Sequence, residues 1–140
     1  YGEVWNLDII DKSISKLVDH GFNLISLSDT IGSATPSIIE KVYQYFSLKY
    51  PEVEFGLHLH TNPKFWRDKI DASFDSRCNR IDGAIQGFGG CPMASDNLIG
   101  NMPTEKIISY CQEKAIETSI NPLKFEAAYN YASDIFLNYH

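Results

Sequence analysis

An alternation of apolar strand patterns with amphipathic helical patterns is the feature that most constrains the fold of this chain. The segments "FNLISLS" at 22–28, "VEFGLHLH" at 53–60 and "RIDGAIQG" at 80–87 are typical of short strands. Between them, apolar residues recur every three or four positions, which is the period of a helix. Strands that alternate with helices of this length predict βαβ units, a parallel sheet and therefore an α/β fold.

Turn and capping residues mark where the helices begin and end. Gly21 follows the first helical segment as a stop signal, and Thr35 followed by proline is typical of a helix start. A third helix is expected over 62–78. Two later helices are expected to begin near Pro103 and Pro122.

Composition restricts the class of protein and its partners. The chain has 140 residues, of which 44% are hydrophobic and 21% charged, as expected of one globular domain spanning 1–140. Its net charge of -6 argues against nucleic acid and anionic membranes as partners, and no apolar run is long enough to span a bilayer. Three cysteines without metal-finger spacing predict reduced thiols and a cytoplasmic location.

Polar residues collect where the predicted strands end. Asp29 ends the first strand, His58 and His60 end the second, and a glycine-rich segment with Cys91 follows the third. In parallel α/β structures the functional residues lie at the carboxyl ends of the strands. We therefore expect these side chains to form one site.

The two histidines are spaced to share a face of their strand. Side chains two positions apart in a strand point to the same side. His58 and His60 can therefore chelate one divalent ion or share a proton-transfer task, and the alternative is that polar neighbours satisfy both rings. A mixed set of imidazole and oxygen ligands would suit Mg²⁺ or Mn²⁺.

Four further polar residues each have a structural interpretation, and three of them also have a functional one. Asp29 either caps a turn or binds a ligand, a cation or a proton. Cys91, in "GFGGCPMA", is either incidental to a flexible turn or a thiol that acts as acid, base or nucleophile. Asn101 either caps a helix or supplies a neutral oxygen ligand, and Glu105 can simply be a carboxylate favoured in the first helical turn.

Taken together, these segments resemble the 3-hydroxy-3-methylglutaryl-CoA (HMG-CoA) lyase family. The matching stretches, which cover nearly the whole chain in the family's order, are "ISLSDTIG" (25–32), "GLHLH" (56–60), "GFGGCPMA" (87–94) and "GNMPTEK" (100–106). The H-x-H pattern is shared by a wider group of metal-dependent TIM-barrel lyases and Claisen-type synthases. The "GGCP" stretch is the part characteristic of the lyases.

The resemblance implies roles for the same positions. His58, His60 and Asn101 match ligands of a divalent cation, Mg²⁺ or Mn²⁺. Cys91 matches a catalytic thiol on a loop over the active site, and Asp29 matches a carboxylate implicated in proton transfer. Glu105 matches an acidic residue near that loop. The resemblance also implies a catalytic role for His58, in addition to metal binding.

The resemblance also implies a reaction, a substrate and an assembly. The reaction is retro-Claisen cleavage of the acyl-CoA substrate HMG-CoA to acetyl-CoA and acetoacetate, and the expected assembly is a homodimer of the full-length enzyme. The family fold is a TIM (β/α)8 barrel, for which about 250 residues is typical. This chain matches about strands six to eight, so we expect the C-terminal portion of a barrel, of pyruvate carboxyltransferase type, from a longer polypeptide.

Two alternatives stay open. One is an acyl-CoA-dependent Claisen synthase of the isopropylmalate or homocitrate type, against which the "GGCP" stretch argues. The other is a non-catalytic half-barrel that only binds a partner or a metal. The family's Arg-Asp pair on the first strand has no counterpart in this sequence, which favours the second alternative. The presence of His58, His60, Cys91 and Asn101 argues against it.

Overall fold

The computed structural model describes residues 4–62, 64–78, 80–90 and 99–137. Helices and strands alternate along most of this part of the chain, and a short 3₁₀ turn at Ile85–Gly87 follows the third strand. The elements are, in chain order, α1 (Leu7–Asp19), β1 (Leu24–Asp29), α2 (Pro36–Lys49), β2 (Glu54–Thr61), α3 (Trp66–Asp75), β3 (Arg80–Asp82), β4 (Gly100–Asn101), α4 (Thr104–Glu113) and α5 (Pro122–Phe136).

A parallel sheet in the order β1-β2-β3 forms the centre of the fold. β1 pairs with β2 from Leu24 opposite Glu54 to Asp29 opposite Leu59. β3 is parallel to β2 on the other side, where Asp82 lies opposite His58. The predicted α/β architecture with parallel strands is confirmed.

One face of the sheet is buried against the helices. On β2, Phe55, Leu57 and Leu59 point to this face and are nearly inaccessible to solvent. They pack in one hydrophobic cluster with Phe46 of α2 and Ile70 of α3. Burying a side chain of this size contributes about 1.5–3 kcal/mol, so the cluster fixes which face of β2 points inward. The opposite face is left for the polar residues of the strand.

Several predicted helix boundaries are confirmed by their capping contacts. The Thr35 side chain accepts a hydrogen bond from the Ile38 N–H at 3.3 Å, and the Asn121 side chain accepts one from the Lys124 N–H at 3.1 Å. After α1, Gly21 adopts a φ of 84°, a left-handed conformation that stops the helix.

The third predicted strand is much shorter than expected. The interpretation of 80–87 as one strand is wrong beyond Arg80–Asp82. Gln86 and Gly87 have φ values of 58° and 68°, and a left-handed backbone cannot continue an extended strand. The chain instead turns through the 3₁₀ segment.

The helix predicted over 62–78 is also shorter, at Trp66–Asp75. A turn precedes it, in which the Phe65 N–H donates to the Asn62 carbonyl oxygen at 3.0 Å.

β4 is a two-residue strand that the sequence pattern does not predict. It pairs antiparallel with the end of β2, with Asn101 opposite His60 and Gly100 opposite Thr61. This pairing brings a distant segment of the chain to the carboxyl end of β2.

None of the helices in the described ranges has both the length and the hydropathy needed to cross a membrane.

Candidate metal and catalytic site

The two histidines of β2 face each other at the end of the strand. The Nε2 atoms of His58 and His60 are 3.3 Å apart. Two nitrogens that share one metal ion at about 2.1 Å lie about 3.0–3.4 Å from each other, for bond angles between those of an octahedron and a tetrahedron. The pair therefore fits a shared cation, and it also fits a hydrogen bond between one protonated and one unprotonated nitrogen.

Burial favours the neutral form of one of these rings. His60 is only 7% exposed. Burial lowers its pKa below the ordinary histidine value, the nearby His58 lowers it further, and Asp29 partly opposes this shift while Lys69 adds to it. A neutral imidazole is the form that binds a metal ion.

Asn101 lies directly opposite His60 where β4 pairs with β2, so the two side chains share one face of the sheet. Its Nδ2 donates to the Phe88 carbonyl oxygen at 2.8 Å. This bond fixes the orientation of the amide, since the reversed orientation would place two oxygens against each other. Its Oδ1 is buried and has no hydrogen-bond partner among the described residues. An unsatisfied buried acceptor costs about 1–3 kcal/mol, and a cation would satisfy it.

Asn101 does not cap a helix. It lies in β4, and α4 begins three residues later at Thr104. The helix-cap interpretation of this residue is wrong, and the contacts leave its oxygen available as a neutral ligand.

The described residues fit a divalent cation that prefers oxygen ligands. No group of three or more His, Cys, Asp or Glu side chains within the described ranges is arranged to hold a metal ion. The set is instead two imidazoles and the Asn101 amide, and it contains no carboxylate or thiolate. A set of this kind suits Mn²⁺ or Mg²⁺ with further oxygen ligands better than it suits a closed zinc site.

Asp29 is held at the end of β1 by several donors. Its Oδ1 accepts from the Ser33 N–H at 2.9 Å, and its Oδ2 accepts from the Ala34 N–H at 3.0 Å and from Lys69 Nζ at 3.2 Å. These are the contacts of a turn cap. Proton transfer by Asp29 stays a prediction.

Lys69, which the sequence analysis did not single out, is a buried lysine beside the site. It is 5% exposed, and its Nζ also donates to the carbonyl oxygens of Gly32 at 3.0 Å and His60 at 3.4 Å. It therefore joins the turn after β1 to the end of β2. The apolar neighbour Ile70 indicates that this part of α3 faces the core, but it does not predict the contact of Lys69 with Asp29.

Glu105 supports the glycine-rich segment from the first turn of α4. Its Oε2 accepts from the Gln86 N–H at 2.9 Å, where the backbone is left-handed. The Gln86 amide in turn donates to the Tyr129 carbonyl oxygen at 3.1 Å and to Ser133 Oγ, which anchors this turn to α5. Glu105 therefore positions the segment that leads towards Cys91.

Cys91 lies outside the described residues, and its predicted catalytic role remains a prediction. The segment before it packs closely on β4. A Cβ atom added at Gly89 would lie 2.9 Å from Asn101 Nδ2, and one added at Gly87 would lie 2.9 Å from the Asn101 carbonyl oxygen. Glycines are required here because the backbone approaches Asn101 so closely.

Parallel βα units with polar residues at the carboxyl ends of the strands define part of a TIM barrel. Comparison with solved structures agrees with this class. The crystal structure of HMG-CoA lyase from Bacillus subtilis matches with a TM-score of 0.86 at 25% identity, over 96% of this chain and 45% of that chain. An HMG-CoA lyase from Acinetobacter baumannii, in complex with coenzyme A and 3-methylmalate, matches with a TM-score of 0.74 at 28% identity, over 86% and 39%.

Sequence comparison gives the same class. Hydroxymethylglutaryl-CoA lyase YngG of Bacillus subtilis is 30% identical over 112 residues, which are 80% of this chain and 37% of the relative. An (R)-citramalyl-CoA lyase of Chloroflexus aurantiacus is 28% identical over 116 residues, 83% of this chain and 36% of the relative. No protein-family model matches the sequence.

The chain is HMG-CoA lyase-like in sequence and fold, and it spans less than half the length of the curated relatives it matches.

Proposed function

We propose that the polypeptide containing this chain is a divalent-metal-dependent carbon–carbon lyase that cleaves HMG-CoA to acetyl-CoA and acetoacetate. The observation that carries this proposal is the facing pair of Nε2 atoms on His58 and His60, 3.3 Å apart, with Asn101 opposite His60 in the sheet. The similarity to HMG-CoA lyases over most of this chain supports the reaction class. A homodimer and a cytoplasmic location remain predictions.

His58, His60 and Asn101 would hold the cation, Mg²⁺ or Mn²⁺. When bound, the ion would neutralise the negative charge that develops on the substrate oxygens. Burial favours the neutral form of His60, which is able to bind, and the hydrogen bond from Asn101 Nδ2 to the Phe88 carbonyl oxygen orients the amide. The Asn101 Oδ1 has no hydrogen-bond partner among the described residues. The chain thus presents its ligands already ordered, which reduces the entropic cost of binding.

The cleavage itself requires two proton movements. A base removes the proton of the substrate hydroxyl, the electrons of the breaking C–C bond form the enolate of acetyl-CoA, and an acid then protonates the enolate carbon. Cys91 is our candidate for one of these transfers. Asp29 stays a second candidate, although its contacts with Lys69 and two backbone amides also give it a structural role.

The direct test is the release of acetoacetate from HMG-CoA by the longest natural polypeptide that contains this segment, with Mn²⁺ or Mg²⁺ added. We expect release that stops when the metal is chelated and that is lost in His58→Ala and His60→Ala variants. His20→Ala is the matched control, because His20 is exposed at the end of α1, where its ring contacts the Lys16 carbonyl oxygen. Unchanged release by the His60→Ala variant would refute the metal assignment.

A second candidate substrate is citramalyl-CoA, which is favoured by the (R)-citramalyl-CoA lyase relative. Its identity to this chain, 28%, is close to the 30% of the Bacillus lyase, so the sequence alone does not rank the two acyl groups. Parallel assays with both thioesters would separate them by the ratio of their kcat/KM values. Incubation with acetyl-CoA and a 2-oxo acid would test the Claisen synthase alternative in the same preparation.

A further inference from the structure

On the face of the sheet that carries His58 and His60, polar residues continue toward the N-terminal ends of the strands. TIM-barrel interiors are mostly filled by branched apolar side chains. Here, alternation along the strands places charged and hydroxyl groups on the face of His58, at Ser26 of β1, Glu54 of β2, and Arg80 and Asp82 of β3. In the strand register, Asp82 lies beside His58. Two residues earlier on β2, Gly56 has Ser26 of β1 on one side and Arg80 of β3 on the other.

These groups form a continuous chain of contacts. Arg80 Nη2 donates to Ser26 Oγ at 3.1 Å, and Ser26 Oγ donates to Asp82 Oδ2 at 3.3 Å. Arg80 Nε also lies 3.5 Å from Glu54 Oε1. Because the Ser26 hydroxyl accepts from a guanidinium, its own hydrogen is left to donate to Asp82, which requires that Asp82 act as an acceptor.

Gly56 creates the room for this arrangement. A Cβ atom at position 56 would lie only 2.6 Å from Arg80 Nε. The Arg80 side chain therefore lies across the backbone of β2, and this is what brings its guanidinium to Ser26.

Asp82 faces the edge of His58 that points away from the candidate cation site. His58 Nε2 faces His60, whereas His58 Nδ1 lies 3.9 Å from Asp82 Oδ2. This distance is too long for a hydrogen bond but within the range of electrostatic attraction between a carboxylate and an N–H group. A carboxylate on this side favours the tautomer with the proton on Nδ1.

We propose that Asp82 is a positioning residue that, held by Ser26 and Arg80, keeps the proton of His58 on Nδ1 and directs the Nε2 lone pair at the cation site. As far as the cation is concerned, this inference rests on the function proposed above. Carboxylates that orient a metal-binding histidine typically affect metal affinity by about 10–100-fold when mutated. We expect the lower end of this range because Asp82 and His58 are partly exposed.

The test uses two measurements on the longest natural polypeptide that contains this segment. In metal-free protein labelled with ¹⁵N-histidine at neutral pH, long-range ¹H–¹⁵N spectra report which ring nitrogen carries the proton. We expect the His58 proton on Nδ1 in the wild type and a mixture of tautomers in Asp82→Asn. Mn²⁺ titration followed by electron paramagnetic resonance should give about tenfold weaker binding for Asp82→Asn, and a smaller loss for Ser26→Ala, which keeps the carboxylate but removes its donor.

Asp71→Asn is the matched control, because Asp71 is a similarly exposed aspartate that pairs with Arg67 on α3. An unchanged His58 tautomer in Asp82→Asn would overturn the inference, and so would equal losses of Mn²⁺ affinity in the Asp82 and Asp71 variants. If the wild type binds no Mn²⁺ but Asp82→Asn still redistributes the His58 proton, the positioning role stands and the metal-dependent function fails. Thermal unfolding of each variant verifies that it is folded.

Discussion

His60 and Asn101 lie directly opposite each other where β2 pairs with β4, although 41 positions separate them in the sequence. Backbone hydrogen bonds hold β4 in this position, both to β2 and to the glycine-rich segment. The Met102 N–H donates to the Leu59 carbonyl oxygen at 3.0 Å, and the Asn101 N–H donates to the Gly89 carbonyl oxygen at 3.2 Å. The strand with the H-x-H pattern, β4 and the glycine-rich segment are therefore one hydrogen-bonded unit.

Asn101→Ala should weaken Mn²⁺ binding by at least about tenfold while leaving the fold intact, because backbone atoms make the β2–β4 pairing. The substitution removes the unpartnered oxygen together with the hydrogen bond from Asn101 Nδ2 to the Phe88 carbonyl oxygen. Isothermal titration calorimetry with Mn²⁺ is the measurement. Asn121→Ala is the control: it removes the cap of α5 and should cost about 1 kcal/mol of stability without changing Mn²⁺ affinity. Equal Mn²⁺ affinity in wild type and Asn101→Ala would contradict the assignment.

Gly89→Ala and Gly21→Ala form a matched pair that separates backbone strain from contact with the site. Both glycines are left-handed, with φ of 82° and 84°, so each substitution should cost about 1–2 kcal/mol of stability. Only at Gly89 would the new Cβ meet another group, the Asn101 amide nitrogen at 2.9 Å, whereas at Gly21 nothing lies within 4 Å.

By chemical denaturation Gly89→Ala is therefore expected to lose at least as much stability as Gly21→Ala, because the contact with Asn101 adds to the shared backbone strain. Loss of Mn²⁺ affinity and of lyase activity is expected in Gly89→Ala alone. A Gly21→Ala variant that lost Mn²⁺ affinity to the same degree would show that general destabilisation, and not the contact with Asn101, is responsible.

The common face of His58 and His60 was predictable because the side-chain period of a strand is two, and the apolar Leu57 and Leu59 fix which face is buried. β4 was not predictable, since two residues carry no periodic pattern. The end of β3 was misjudged because Gln86 is left-handed where its N–H donates a hydrogen bond to the distant Glu105 carboxylate, a contact that the local pattern does not show.

The buried pair of Asp29 and Lys69 illustrates a second limit of sequence reasoning. A lysine in an amphipathic helix is expected at the surface, and only the fold brings it to the carboxylate 40 positions earlier. The contacts of Asp29 with Ser33 and Ala34 lie close in the sequence and were predictable as a turn cap. Its ion pair with Lys69 joins distant segments and was not predictable.

Lys69→Met should destabilise the protein by about 3–5 kcal/mol, because it leaves the buried Asp29 carboxylate without its counter-charge. Adding Asp29→Asn should recover part of this loss, since the neutral amide oxygen can still accept one of the turn N–H groups. Urea denaturation of both single variants and of the double variant gives the coupling free energy. Additive losses in the double variant would show that the two side chains do not stabilise each other.

Asp11 provides a test of stability against pH. Its carboxylate accepts hydrogen bonds from Lys49 Nζ at 2.6 Å and from the Tyr50 hydroxyl at 2.8 Å, which joins α1 to the end of α2. The hydrogen bond from Lys49, followed by that from Tyr50, lowers the pKa of Asp11 below its ordinary value of 3.8. Because the folded-state pKa is the lower one, the stabilisation is present above the unfolded-state pKa and is lost as pH falls through the folded-state pKa.

Asp11→Asn should therefore be less stable than wild type at about pH 6, and the difference should shrink as the pH is lowered below the unfolded-state pKa of about 4 and through the still lower folded-state pKa. Denaturant midpoints measured across this range are the readout. Asp19→Asn, which alters an exposed carboxylate at the last residue of α1, controls for the loss of one surface charge. A difference between wild type and Asp11→Asn that stayed constant over the whole range would mean that the Lys49 and Tyr50 contacts do not favour the ionised carboxylate.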